Sequence, residues 1–148
     1  MIILIFGPAG AGKTTIANRL VDRLEDAYLI SSDQFRKKVY ERLIREVRKR
    51  REESGCLVVE GTFYKSRWRE ELRAAAEGEE MLEVFVYCSL ETCIKRNRNR
   101  SQPIPEAAIH IIWKEFEHPE NFDLEINAES LTPEEAAQQI LDLLKETK

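Results

Sequence analysis

Apolar residues follow two alternating patterns along the chain. Short continuous apolar runs are typical of strands in a parallel sheet that is covered on both faces. These runs predict strands at 1–6, 27–30, 56–59, 84–88 and 122–126. Between them, apolar residues recur every three or four positions, which is the spacing of one helix face. This spacing predicts helices at 14–24, 35–51, 68–76, 91–97, 106–116 and 134–145.

The alternation of strands and helices indicates the fold class. It predicts an α/β fold with three layers, in which helices cover both faces of a roughly five-stranded parallel sheet. We expect a single domain over residues 1–148, because 148 residues are about the size of one domain. The last helix carries its own start signal, with Thr132 as N-cap, Pro133 at the first helical position and Glu135 completing a capping box.

Composition excludes several classes of protein. Hydrophobic residues make up 43% of the chain and charged residues 34%, with 6 Gly and 5 Pro, which excludes collagen and disordered linkers. No stretch reaches the ~20 apolar residues that a membrane span needs, and the apolar start lacks the features of a signal peptide. We therefore expect a cytoplasmic protein with no membrane partner. Cys56, Cys88 and Cys93 form no CxxC pair and are expected to be buried thiols.

Basic residues are concentrated in two places, although the net charge is −4. Nine of them lie within 36–51, and Lys95, Arg96, Arg98 and Arg100 form a second cluster. Such clusters attract phosphate groups or a polyanion. The alternative interpretation of 36–51 is an ordinary solvated helix face.

The strongest chemical signal follows the first predicted strand. Residues 7–14 read Gly-Pro-Ala-Gly-Ala-Gly-Lys-Thr and match the phosphate-loop pattern G-x-x-x-x-G-K-[ST]. Glycines allow backbone amides to close around phosphate oxygens, and the helix that follows adds its positive end. We therefore expect ATP and Mg²⁺ as cofactors, with Lys13 beside the β- and γ-phosphates and the Thr14 hydroxyl on the metal. The predicted nucleotide-binding residues are Gly7, Pro8, Ala9, Gly10, Ala11, Gly12, Lys13, Thr14 and Thr15.

Charged residues further along the chain suggest phosphoryl transfer. Asp33 follows the second strand and could accept a proton from an acceptor hydroxyl, while Arg36 could hold the acceptor or the transferring group. The alternative is that Asp33 only caps the next helix. Glu60 ends the third strand and could orient Mg²⁺-bound water, or could be an exposed acid. Arg96 and Arg100 are expected in a mobile lid at about 94–106 that closes over the nucleotide, or on a solvated helix end.

With these motifs, the chain resembles the small P-loop kinases, which include polynucleotide 5′-kinases, adenylylsulfate kinases and, most closely, O-phosphoseryl-tRNA kinases. The likeness is carried by segments 7–15, 32–36, 60–67 and 90–105, the last followed by 109–110 and 116–119. It implies a P-loop NTPase kinase fold, base and acceptor-positioning roles for Asp33 and Arg36, and lid roles for Arg96 and Arg100. One departure is Glu60, which stands where these kinases usually carry Asp.

Two hypotheses about function follow. The first is an ATP·Mg²⁺-dependent kinase that transfers the γ-phosphoryl group to a hydroxyl on a seryl-tRNA, a nucleic-acid end or a small metabolite. The second is a non-catalytic ATP-binding switch, which would use the loop but not Asp33. A GTPase is disfavoured because the base-reading motif N-K-x-D is absent. Segment 127–130, Asn-Ala-Glu-Ser, is a candidate for contact with the adenine base.

Overall fold

The computed structural model describes residues 1–53 and 55–146. Its centre is one sheet of five strands in the order β2-β3-β1-β4-β5, and every neighbouring pair is parallel. The strands are β1 (Ile2–Phe6), β2 (Ala27–Ser31), β3 (Cys56–Gly61), β4 (Met81–Tyr87) and β5 (Leu124–Asn127). The helices are α1 (Lys13–Arg23), α2 (Val39–Arg50), α3 (Ser66–Ala75), α4 (Leu90–Arg98), α5 (Glu106–Glu115) and α6 (Pro133–Glu146).

Two apolar layers enclose the sheet, as the continuous apolar strands predict. Alternate residues of β1 point to opposite faces. Ile3 and Ile5 pack in the layer that α1, α4, α5 and α6 complete. Ile2, Leu4 and Phe6 pack in the layer formed with α2 and α3. The predicted three-layer α/β architecture is therefore confirmed.

The helix predicted at 35–51 is wrong at its first turn. Residues Ser32–Gln34 form a single 3₁₀ turn, and the α-helix begins only at Val39. The cause is Lys38, whose φ of 50° is left-handed and cannot continue a right-handed helix. The capping box at the start of α6 is confirmed, because Thr132 and Glu135 exchange side chain to backbone hydrogen bonds of 3.0 and 3.1 Å.

The carboxyl ends of the strands bring the candidate chemistry to one edge of the sheet. The loop at 7–12 leaves β1 in the middle, while the segments that follow β2 and β3 lie beside it. Ligands of open parallel sheets bind at this edge. No helix in the part of the chain that the structure describes has both the length and the apolar character to cross a bilayer.

Candidate active site

A cleft of about 1130 Å³ opens at the carboxyl edge of the sheet. It brings together residues from the loop after β1, from the ends of β2 and β3, and from the region around α4. Eleven of the predicted site residues line it: Ala9, Gly10, Ala11, Gly12, Lys13, Thr14, Thr15, Asp33, Glu60, Arg96 and Arg100. Gly7, Pro8 and Arg36 do not line it, and the Arg36 side chain is exposed on the surface.

The loop at 7–12 is held so tightly that two of its positions require glycine. A Cβ atom at Gly7 would lie 1.8 Å from the carbonyl oxygen of Val86, and one at Gly10 would lie 2.5 Å from that of Cys93. The loop leads directly into α1, whose N-cap Gly12 provides no side-chain cap. The first amides of an α-helix have no intrahelical acceptor, so they and the positive helix end remain available to an anion.

Lys13 is a buried cation on the floor of the cleft. Its side chain is 5% exposed, and its Nζ donates a hydrogen bond of 2.8 Å to the carbonyl oxygen of Pro8. Burial lowers the pKa of Lys13 below its ordinary 10.5, and the nearby carboxylates of Glu60 and Asp33 partly oppose that shift. The fold therefore keeps an ammonium group largely out of water next to two carboxylates.

Glu60 is buried at the end of β3, which excludes the interpretation of an exposed acid. It is 3% exposed, and the Ser31 hydroxyl donates a 2.7 Å hydrogen bond to its Oε2. Within the described residues, no three His, Cys, Asp or Glu side chains are grouped to enclose a metal ion. Mg²⁺ in kinases commonly takes only one or two protein oxygens together with phosphate oxygens and water. The Thr14 hydroxyl and the Glu60 carboxylate fit that donor set.

Asp33 lies in the 3₁₀ turn after β2 and faces the cleft. Its amide donates to the Ser31 hydroxyl oxygen at 3.3 Å, and its carboxylate is 3.8 Å from an Nη of Arg100. This ion pair connects the end of β2 to the segment that follows α4. The N-cap of α2 is Lys38, so the alternative that Asp33 caps the following α-helix is wrong.

Arg96 and Asn97 fix the region around α4, and sequence reasoning missed Asn97. Arg96 donates to the carbonyl oxygens of Ala11 and Ala128, at 3.0 and 2.6 Å. Asn97 is 1% exposed and exchanges two hydrogen bonds with the backbone of Ile104. The available signal was a polar residue four positions after Cys93, on the buried face of the helix.

An aromatic wall closes the side of the cleft beside Asp33, and sequence reasoning missed it as well. Tyr40 stacks on Trp68 with ring centroids 4.2 Å apart, and Tyr64 meets Trp68 edge-on. The Tyr40 hydroxyl is hydrogen-bonded to the Thr62 hydroxyl at 2.6 Å and accepts from the Phe63 amide at 3.0 Å. Burial raises the pKa of Tyr40, so this hydroxyl keeps its proton.

Comparison with known proteins agrees with this geometry. The AAA domain family (AAA_33) matches residues 2–119. A probable adenylyl-sulfate kinase of Halalkalibacterium halodurans is 32% identical over 94% of this chain and 80% of its own length. An L-seryl-tRNA(Sec) kinase of Mus musculus is 37% identical, but over only 43% of this chain and 18% of its own length.

The fold is also shared with a solved kinase structure. The Mycobacterium tuberculosis APS kinase CysC, solved in complex with AMPPNP and APS, superimposes with a TM-score of 0.77 at 20% identity. The match covers 97% of this chain and 96% of that one. Together with the phosphate loop at the sheet edge, these matches show that the chain belongs to the AAA_33 family of P-loop kinases.

Proposed function

We propose that this protein transfers the γ-phosphoryl group of ATP to a hydroxyl group of an acceptor. The observation that carries the proposal is a single cleft lined by the phosphate loop with Lys13, by the oxygen donors Thr14 and Glu60, and by the carboxylate of Asp33. A module that only binds nucleotide needs the loop but has no use for a carboxylate opposite it.

The loop side of the cleft holds and polarises the triphosphate. Lys13 exchanges its contact with the Pro8 carbonyl oxygen for phosphate oxygens, and the first amides of α1 bind the same anion. When bound, Mg²⁺ would supply positive charge that offsets the charge developing during transfer. The Thr14 hydroxyl and the Glu60 carboxylate are the groups that would hold it or its water ligands.

Asp33 is the proposed general base. It takes the proton of the acceptor hydroxyl as that oxygen bonds to the γ-phosphorus and the bond from phosphorus to the β–γ bridging oxygen breaks, leaving ADP. Arg100, whose guanidinium lies 3.8 Å from the Asp33 carboxylate, is close enough to turn to the transferring group. Arg36 lies on the surface near this turn, so any part it takes in holding the acceptor requires its side chain to swing inward.

The Asp33→Asn variant tests the base against the non-catalytic alternative. The amide keeps the shape of the side chain but cannot take the proton, so we expect the Kd for ATP to stay within about twofold and transfer to fall by about 100-fold or more. Transfer is measured as ADP release with a panel of tRNA, oligonucleotides and hydroxyl metabolites. The exposed Asp142→Asn on α6 is the matched control. Transfer by Asp33→Asn at the wild-type rate would remove Asp33 from the mechanism.

A basic stripe on α2 supports a polyanionic acceptor, such as a nucleic acid. Arg42, Arg45 and Lys49 are exposed at helical spacing along one face of α2, and the exposed N-cap residue Lys38 precedes them. The stripe begins at the cleft, because both Lys38 and Arg67 line the cleft. It spans about 16 Å at the rise of an α-helix, enough to meet several phosphates of one strand.

Salt dependence tests this acceptor class. We expect oligonucleotide binding to weaken steeply with salt, and the double variant Arg45→Gln/Lys49→Gln to reduce the slope by about two. The control Arg19→Gln/Lys145→Gln removes two charges from the helix layer on the other face of the sheet. Efficient, salt-insensitive turnover of a small hydroxyl metabolite would instead assign the cleft to a small acceptor.

A further inference from the structure

Ser31 is the last residue of β2, and the sheet fixes its position beside Glu60. The two residues are register partners on adjacent parallel strands, so their side chains leave the sheet on the same face. Both side chains are buried, with Ser31 6% exposed, and the Ser31 Oγ lies 2.7 Å from Glu60 Oε2. A buried carboxylate needs such a donor, because burying an unpaired charge is costly.

The direction of each hydrogen bond follows from the atoms involved. An ionised carboxylate only accepts, so the hydroxyl proton of Ser31 points to Glu60. The lone pairs of the same oxygen remain for the backbone amide of Asp33, which lies 3.3 Å away. One hydroxyl group therefore contacts both the proposed metal-orienting carboxylate and the turn that carries the proposed base.

From this geometry we infer that Ser31 is a positioning residue for phosphoryl transfer. It holds Glu60 in the orientation in which the carboxylate serves Mg²⁺ or its water ligands, and it fixes the 3₁₀ turn that carries Asp33. Ser31 itself does not line the cleft, so it acts through these two neighbours. The inference rests on the function proposed above, since it assigns Ser31 a part in the same site.

The experiment measures how much Mg²⁺ tightens the binding of AMPPNP. Calorimetry gives the Kd for AMPPNP with and without Mg²⁺ for the wild type, Ser31→Ala and Ser31→Thr. Ser66→Ala is the matched control, because Ser66 also donates from its hydroxyl to a glutamate, Glu117, but outside the cleft. Melting temperatures of all variants report whether each one is folded.

We expect Ser31→Ala to lose about tenfold of the Mg²⁺-dependent tightening while its metal-free Kd is unchanged, because outer-shell partners of metal ligands commonly contribute that much. Its kcat should fall about tenfold at saturating ATP and Mg²⁺. Ser31→Thr keeps the hydroxyl and should restore both values, and Ser66→Ala should behave like the wild type.

A second measurement separates positioning from a merely structural role. If Ser31 acts on the metal through Glu60, the Mg²⁺-dependent tightening of Glu60→Gln should not fall further when Ser31→Ala is added. The inference would be overturned if Ser31→Ala reduced the Mg²⁺-dependent tightening equally in the wild type and in Glu60→Gln. It would also be overturned if Ser31→Ala kept the wild-type tightening. Either result would leave the proposed function intact. A wild-type affinity that does not respond to Mg²⁺ at all would overturn both.

Discussion

At the scale of single residues, the fold buries a charged group, the ammonium of Lys13, on the floor of the cleft. Its ammonium group is almost fully buried and has a neutral carbonyl oxygen as its hydrogen-bond partner in the described structure. Burial is also the largest influence on its pKa and outweighs the attraction of the nearby carboxylates. The cleft thus contains a buried cation that a bound anion would stabilise more than the carbonyl contact does.

The lowered pKa of Lys13 predicts how stability depends on pH. Between that lowered pKa and the ordinary 10.5, the unfolded chain binds more protons at this lysine than the folded one, so the free energy of unfolding should rise with pH. Lys13→Met removes this contribution. Urea unfolding at several pH values up to about 10.5 should therefore show a rise in the wild type that Lys13→Met lacks. The exposed Lys145→Met serves as control, and parallel profiles for all three proteins would contradict the prediction.

The residues that the sequence could predict are those whose role follows from their place along the chain. Lys13 closes the phosphate loop that follows β1, Glu60 lies at the carboxyl end of β3, and parallel strands bring their carboxyl ends together. Ser31, Tyr40 and Asn97 have roles that depend on contacts between separate segments. Ser31 meets a residue 29 positions away, and Tyr40 meets one 22 positions away. No local pattern marks such pairs.

At the scale of elements, the segment between β2 and α2 departs most from its predicted form. The apolar spacing from Phe35 onward predicts a continuous helix, but that spacing says nothing about φ at Lys38. The left-handed residue turns the chain so that α2 starts one turn late and the 3₁₀ turn keeps Asp33 at the cleft. The helical pattern of apolar residues is thus overridden between Phe35 and Lys38, where a separate turn holds Asp33 at the cleft.

We predict that Asn97 keeps the segment between α4 and α5 closed against proteolysis. Two hydrogen bonds join its buried side chain to the backbone of Ile104, so Asn97→Ala should open the connection from α4 to α5. Losing both bonds should increase trypsin cleavage at Arg98 and Arg100 about tenfold, since cleavage follows the open population. The exposed Asn99→Ala is the control. Equal cleavage rates for both variants would show that other contacts hold this segment.

Glu129 joins the segment after β5 to the first turn of α4. Hydrogen bonds from the Ser89 side chain, the Thr92 hydroxyl and the Ser89 amide lower the pKa of Glu129 to about 2. Its ionised form therefore contributes stability above the ordinary pKa of 4.5, and that contribution is lost as pH falls from 4.5 to about 2.

The variant Glu129→Gln should therefore lose less stability than the wild type over that acid range. Melting temperatures measured from neutral pH downward test this, with Glu125→Gln on β5 as an exposed control of the same charge. If the wild-type and Glu129→Gln curves stay a constant distance apart below pH 4.5, the carboxylate does not make these bonds in solution.

At the scale of the whole molecule, the strand order divides the cleft into two halves. The loop after β1, together with the α4 region and the segment after β5, forms the half where the triphosphate is proposed to bind. The ends of β3 and β2 form the other half, which carries Glu60, Asp33 and the aromatic wall. Phosphoryl transfer would occur where the halves meet, and the pair Arg100–Asp33 already crosses that boundary.

Arg96 connects distant segments in the half of the cleft where the triphosphate is proposed to bind. Its guanidinium donates to Ala11 in the phosphate loop and to Ala128 after β5, 117 positions later in the chain. Lysine keeps the charge, but its single ammonium group cannot donate to both carbonyl oxygens as the two NH₂ groups of the planar guanidinium do. Arg96→Lys should therefore loosen the loop and weaken AMPPNP binding about tenfold, the effect of losing one charged hydrogen bond.

Thermal stability with and without nucleotide measures this effect in the intact protein. At a concentration of AMPPNP and Mg²⁺ near 100 times the wild-type Kd, binding should stabilise the wild type by about 2.7 kcal/mol. The same concentration is only about ten times the Kd expected for Arg96→Lys, so its gain should be about 1.4 kcal/mol. Arg98→Lys, on the exposed side of α4, should gain as much as the wild type. Equal gains for Arg96→Lys and the wild type would show that the loop holds its shape without this bridge.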